Sequence, residues 1–139
     1  MIIQEFTVDR YDWLVRVFYL IDTFPLGEII ESLQELGCDE GEAYDTAESL
    51  ELEGYNVGAT YSNMYKRESL VIIGKADSAE EFYDTFDHEK GHLVMHICIA
   101  DSIDPFSEKF QYLSGEIAGS MFSAAKELLC EECRKRLVE

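Results

Sequence analysis

The chain has 139 residues, 47% apolar and 29% charged, which suits a single folded domain over 1–139 with a sizeable core and excludes a disordered chain. Eleven Lys and Arg stand against 29 Asp and Glu. The resulting charge of −18 argues against partners that need a basic surface, nucleic acid and anionic membranes among them, and fits a basic protein, a cation or solubility alone.

In chain order, residues 2–8 and 13–21 are rich in β-branched and aromatic types, with Arg10-Tyr11-Asp12 between them. They read as a strand pair, although the second run also fits a buried helix. No signal peptide is expected, because Glu5 stands where a basic region should be and no apolar run follows it. The 13–21 run is broken by Arg16 and is too short to span a bilayer. Cys38, Cys98, Cys130 and Cys133 form no two-pair metal pattern, so free thiols in a reducing cytoplasm are expected. The lone Cys130-Glu131-Glu132-Cys133 reads as structurally idle.

Pro25 suits the first turn of a helix, and Leu26, Ile29, Ile30, Leu33 and Leu36 recur at helical spacing up to Gly37. Asp39 with Glu42 has the form of a capping box and opens a second helix that ends near Gly54. The two make a helical hairpin. Residues 22–53 contain eleven acids and no Lys or Arg, so they carry −11 of the −18. This is either a solvated acidic face or a docking surface for a basic partner.

Residues 56–62 and 68–74 read as two more strands, the second apolar enough to be an inner one. Ser78 with Glu81 is another capping box, starting a helix to about Ala100. Asp104-Pro105 restarts the chain, Ser107 serves as an N-cap, and a long helix follows to about Arg136.

The chemistry lies in His88-Glu89-Lys90-Gly91-His92, an H-E-x-x-H pattern in the middle of a predicted helix. Residues i and i+4 are neighbours on one helical face, so both imidazoles reach one metal ion. Glu89 points about 100° away and can hold a metal-bound water without ligating the ion. Catalytic zinc needs a third protein ligand and one open position. A third histidine six residues past His92 is excluded, since Cys98 stands there. His96 lies about 12 Å along the axis from His88 and reads as a core or supporting residue. Two carboxylates on the next helix remain, Glu108 and Glu116. Both flank its apolar stripe, and helical phase does not choose between them.

The motif, followed by a glutamate-bearing helix, resembles the gluzincin branch of the zincin metallopeptidases. In size the chain is similar to single-domain zincins of bacteria, phages and mobile elements, including the ImmA/IrrE type. The likeness covers residues 68–125. Glu108-Lys109-Phe110-Gln111-Tyr112-Leu113 is similar to the segment that carries the third ligand there, so the resemblance favours Glu108.

It implies an α+β, zincin-like fold. This has a small mixed sheet, an H-E-x-x-H helix, a following long helix and, here, an N-terminal helical hairpin. It also implies an edge strand, at 56–62 or 68–74, to which an extended substrate adds by backbone hydrogen bonds. The expected activity is zinc-dependent peptide hydrolysis. Zn2+ is held by His88, His92 and Glu108, Glu89 is the general base, and Tyr112 or Tyr61 stabilises the oxyanion. The substrate is a protein or peptide, a basic one suiting the charge. The alternative is a non-catalytic acidic protein-binding domain of the DNA-mimic or decoy type, acting through 22–53, with a structural or vestigial metal site.

Overall fold

The computed structural model describes residues 1–129. Burial alternates along β1 (Ile2–Val8), as expected of a strand with one face on the core. β1 pairs antiparallel with β2 (Trp13–Tyr19), with Ile2 opposite Tyr19 and Val8 opposite Trp13. A short 3-10 turn at Asp9–Tyr11 links them, and Asp12 leaves it in the left-handed region at φ 50°. The run after Trp13 is therefore a strand, and its missing alternation has a simple cause. Trp13, Val15, Val17 and Tyr19 face one layer of helices, while Phe18 and Leu20 face another.

β2 pairs in parallel with β4 (Glu68–Ile73), and β4 pairs antiparallel with β3 (Gly58–Asn63). The order is β1-β2-β4-β3, a mixed sheet with β3 at one edge. The apolar run of β4 marks an inner strand covered on both faces, as its composition predicts.

Helices α1 (Leu26–Glu35) and α2 (Glu40–Glu53) form the expected hairpin. Pro25 sits one position earlier than expected, as the N-cap residue, and Gly37 closes α1 at φ 97°. The Asp39 side chain accepts the Glu42 N–H and caps α2. Ile29, Leu33, Ala43 and Ala47 pack on Phe18, Leu70 and Ile72.

The opposite face carries α3 (Ala79–Asp101) and α4 (Glu108–Ala125). Ser78 caps α3 by accepting the Glu81 N–H, and Ser107 caps α4 by accepting the Phe110 N–H. Phe86, Leu93, Ile97, Leu113, Ile117 and Met121 close this second core against Trp13, Val15, Val17, Val71 and Ile73. The expectation that the last helix runs to about Arg136 is corrected. The α-helix ends at Ala125, its last buried residue, tightens into a 3-10 turn over Lys126–Leu128, and Leu129 is extended. Cys130 and Cys133 lie outside the described residues; Cys38 and Cys98 are buried free thiols. Among the described residues, no helix is long and apolar enough to cross a membrane.

Candidate functional site

Helix α3 lies under β3 and β4 with Leu93 and Ile97 turned into the core. That phase leaves His88 and His92 exposed on one flank. Their rings meet edge to face, with Nε2 atoms 3.1 Å apart. Two imidazole ligands of a tetrahedral zinc ion, each about 2.05 Å from it, stand about 3.3 Å apart. The spacing of the pair therefore suits one such ion.

Glu89 turns the other way, into the crevice between α3 and β3. It is 5% exposed. The Thr60 hydroxyl sits 2.9 Å from Glu89 Oε1 and 3.1 Å from the Glu89 carbonyl oxygen, its one proton shared between two acceptors. Oε2 has no partner in the protein, yet among the described residues no fully buried side-chain oxygen lacks one. Oε2 therefore meets solvent, in the cleft that Glu89 lines with Glu53, Asn56, Val57, Gly58, Asp84, Thr85 and His88.

Gly58 makes this approach possible. A Cβ there would lie 2.6 Å from the Ile72 carbonyl oxygen, 2.8 Å from Glu89 Cγ and 3.1 Å from Thr85 Cγ2. Gly58→Ala should therefore push α3 off the strand and lower stability by about 1–3 kcal/mol, the usual range for overpacking. The midpoint of urea unfolding measures it, and an unchanged midpoint would refute the close packing.

The carboxylates of α4 are elsewhere. Lys90 Nζ bonds Ser114 Oγ at 3.1 Å, which turns Lys90 toward α4. His88 and His92 are each two residues from Lys90, about 200° around the helix, so they face away from α4. Glu108 is the first residue of α4 and Glu116 lies two turns on, so both belong to the helix on the Lys90 flank. Neither Glu108 nor Glu116 is brought to the histidine pair. Among the described residues, no set of three His, Cys, Asp or Glu side chains is arranged to hold a metal ion.

The two tyrosines expected at the oxyanion are also placed apart. Tyr112 is exposed on α4, and Tyr61 packs with the α1–α2 core on the opposite face of the sheet.

His96, one turn past His92, ends a chain of side-chain bonds. The Trp13 indole N–H donates to Ser69 Oγ at 2.8 Å; Ser69 Oγ and Ser62 Oγ are 2.6 Å apart, and Ser62 Oγ is 2.6 Å from His96 Nδ1. Indole only donates, so Ser69 Oγ accepts from Trp13; the His96 tautomer sets the direction of the two bonds that follow. Burial, and next the charge of His92, push the His96 pKa below the ordinary 6.5.

A histidine with a lowered folded pKa binds its proton more readily when unfolded, so its contribution to stability is complete above pH 6.5 and is lost as pH falls below it. His96→Gln should flatten the stability profile in that acid window. Equal slopes in wild type and variant would show that His96 does not titrate there.

Comparison with protein-family models, curated proteins and solved structures gave no match.

Thr60 and Gly58 are site residues that composition and motif spacing did not single out. The signal was present in Gly58, Thr60 and Ser62, alternate residues of one strand that are each small or short-chained hydroxyl types. That is the pattern of a strand face meeting a close-packed helix.

Proposed function

We propose that the chain is a zinc-dependent peptidase centred on His88 and His92, with Glu89 as general base. The carrying observation is the pair of Nε2 atoms 3.1 Å apart beside a carboxylate fixed through one oxygen by Thr60. The H-E-x-x-H pattern and its likeness to gluzincins of the ImmA/IrrE type point the same way.

Bound zinc would supply a water of pKa about 7 and polarise the scissile carbonyl. The protein's own part is proton handling. Glu89 Oε1 is held by Thr60, and the free Oε2 faces the cleft, where it can take a proton from water and return it to the leaving amine.

Strand β3 adds the means of holding an extended substrate. The Gly74 N–H donates to the Val57 carbonyl. Pairing alternates along an antiparallel ladder, so Gly58, Thr60 and Ser62 turn their backbone groups to the open edge. Of the two strands considered for peptide docking, β3 is the one at the sheet edge; β4 is internal.

The resemblance favours Glu108 as the third ligand, but α4 packs on the flank of α3 opposite the histidine pair, so that ligand would require α4 to repack. Metal content of chelator-free protein by mass spectrometry tests the centre. About one zinc per chain is expected, falling to none in His88→Ala. Zinc lost in Glu108→Gln supports that ligand; zinc retained there removes α4 from the centre. No zinc in the wild type, even after reconstitution, would end the peptidase reading. It would leave the acidic α1–α2 hairpin, with its eleven acids and no base over 22–53, as a surface for a basic protein.

A further inference from the structure

The flank of α3 that carries the histidine pair has two unlike ends. At 100° per residue, Asp84, His88, His92, Met95 and Ile99 share one side of the helix. Toward the N-terminal end the cleft beside Glu89 is walled by Asp84 and by Glu53 from α2. Toward the other end, Met95 is 37% and Ile99 65% exposed, two large apolar side chains that the core does not use. Strand β3 runs the same way along this flank, since Thr60 meets Glu89 and Ser62 meets His96.

We infer that the groove between β3 and α3 takes an extended polypeptide with a Lys or Arg on one side of the histidine pair and a large apolar residue on the other. The inference rests on the peptidase reading and names its substrate class. Three observations carry it. The outward backbone groups of Gly58, Thr60 and Ser62 are complementary to another extended backbone. Asp84 and Glu53 are complementary to a cation, and the chain's −18 charge steers one inward. Exposed Met95 and Ile99 gain by covering an apolar side chain.

The spacing follows from helix and strand rise. Asp84 lies about 9 Å along the axis from the middle of the histidine pair, close to three extended residues. Met95 lies about 7.5 Å the other way, close to two.

The test uses zinc-loaded Glu89→Gln protein, which keeps the acceptor for Thr60, and a positional library of synthetic dodecapeptides. Retained peptides should be enriched in Lys or Arg and in Leu, Met or Phe about five residues apart. Asp84→Lys with Glu53→Lys should weaken binding of those peptides by at least about tenfold, the usual effect of facing like charges, and leave the apolar preference intact. Ile99→Asp should remove the apolar preference and leave the cationic one. Asp84→Asn, an uncharged near-isostere, guards against misfolding and should lose part of the cationic preference. No retained peptide, no enrichment, or enrichment untouched by Asp84→Lys would overturn the inference. The zinc content of the same preparations separates the two failures. Zinc present without enrichment sinks the substrate class alone, and zinc absent sinks the peptidase reading.

Discussion

Replacing Glu89 with glutamine should reduce peptide hydrolysis by about 10²- to 10⁴-fold, the range for losing a general acid–base group, while leaving zinc content and folding unchanged. The reasons are geometric. Glu89 is almost fully buried, with Oε1 beside the Thr60 hydroxyl. A glutamine carbonyl oxygen accepts the same bond, so the side chain stays in its crevice. The change falls on the position of Oε2, which faces the cleft and alone is free to take a proton. His88 and His92 lie on the exposed flank and keep their geometry. Hydrolysis of a cleaved substrate, followed against zinc content and the unfolding midpoint, separates chemistry from structure. Equal rates with zinc bound would remove Glu89 from the mechanism. A matching fall in zinc would make it a ligand.

Trp13→Ala should cost about 3–5 kcal/mol, the range for truncating a large buried aromatic, with more from the polar groups it strands. Trp13 is fully buried, and the Arg67 guanidinium lies 5.1 Å from its ring centre. Its indole N–H is the first donor in the chain through Ser69 and Ser62 to His96. Without it Ser69, itself buried, loses a hydrogen-bond donor. A stability of about 5–15 kcal/mol is typical of a domain this size, so the variant should unfold at much lower denaturant. Trp13→Phe keeps most of the ring and separates the two effects. Its loss should be smaller and should fall mainly on the Ser69–Ser62–His96 chain. A shift under about 1 kcal/mol for Trp13→Ala, read from urea unfolding, would show that the core closes over the gap.

Local chemistry was legible in the sequence where it is local in space. Asp39, Ser78 and Ser107 cap their helices because a cap needs only the next three residues. Leu70, Val71, Ile72 and Ile73 announced an inner strand, since a run without alternation fits helices on both faces. The same property blurred the run after Trp13, which lacks the period that separates strand from helix.

The histidine pair was legible because i and i+4 are neighbours on any α-helix. The surroundings of Glu89 were not, because Thr60 lies 29 residues away and meets it only once β3 is paired. The place of Glu108 was not either. It depends on which flank of α3 receives α4, and Lys90 bonded to Ser114 marks that flank. Nothing in the spacing of His92 and Glu108 carries that information.

The parallel pairing of β2 with β4 sets the order in which this molecule can assemble. Leu14 pairs with Glu68, so the chain must close a loop of more than fifty residues before its central ladder exists, whereas β1–β2 and α1–α2 join near neighbours. The two hairpins can form early and the ladder late, giving slower folding than a helical bundle of equal length. β3 has only β4 to hold it in the sheet, and Glu89 meets Thr60 only when β3 is seated. In hydrogen exchange, the backbone around Thr60 should thus exchange before that of Val15 and Val71, so the candidate site belongs to the part of the molecule that opens most readily.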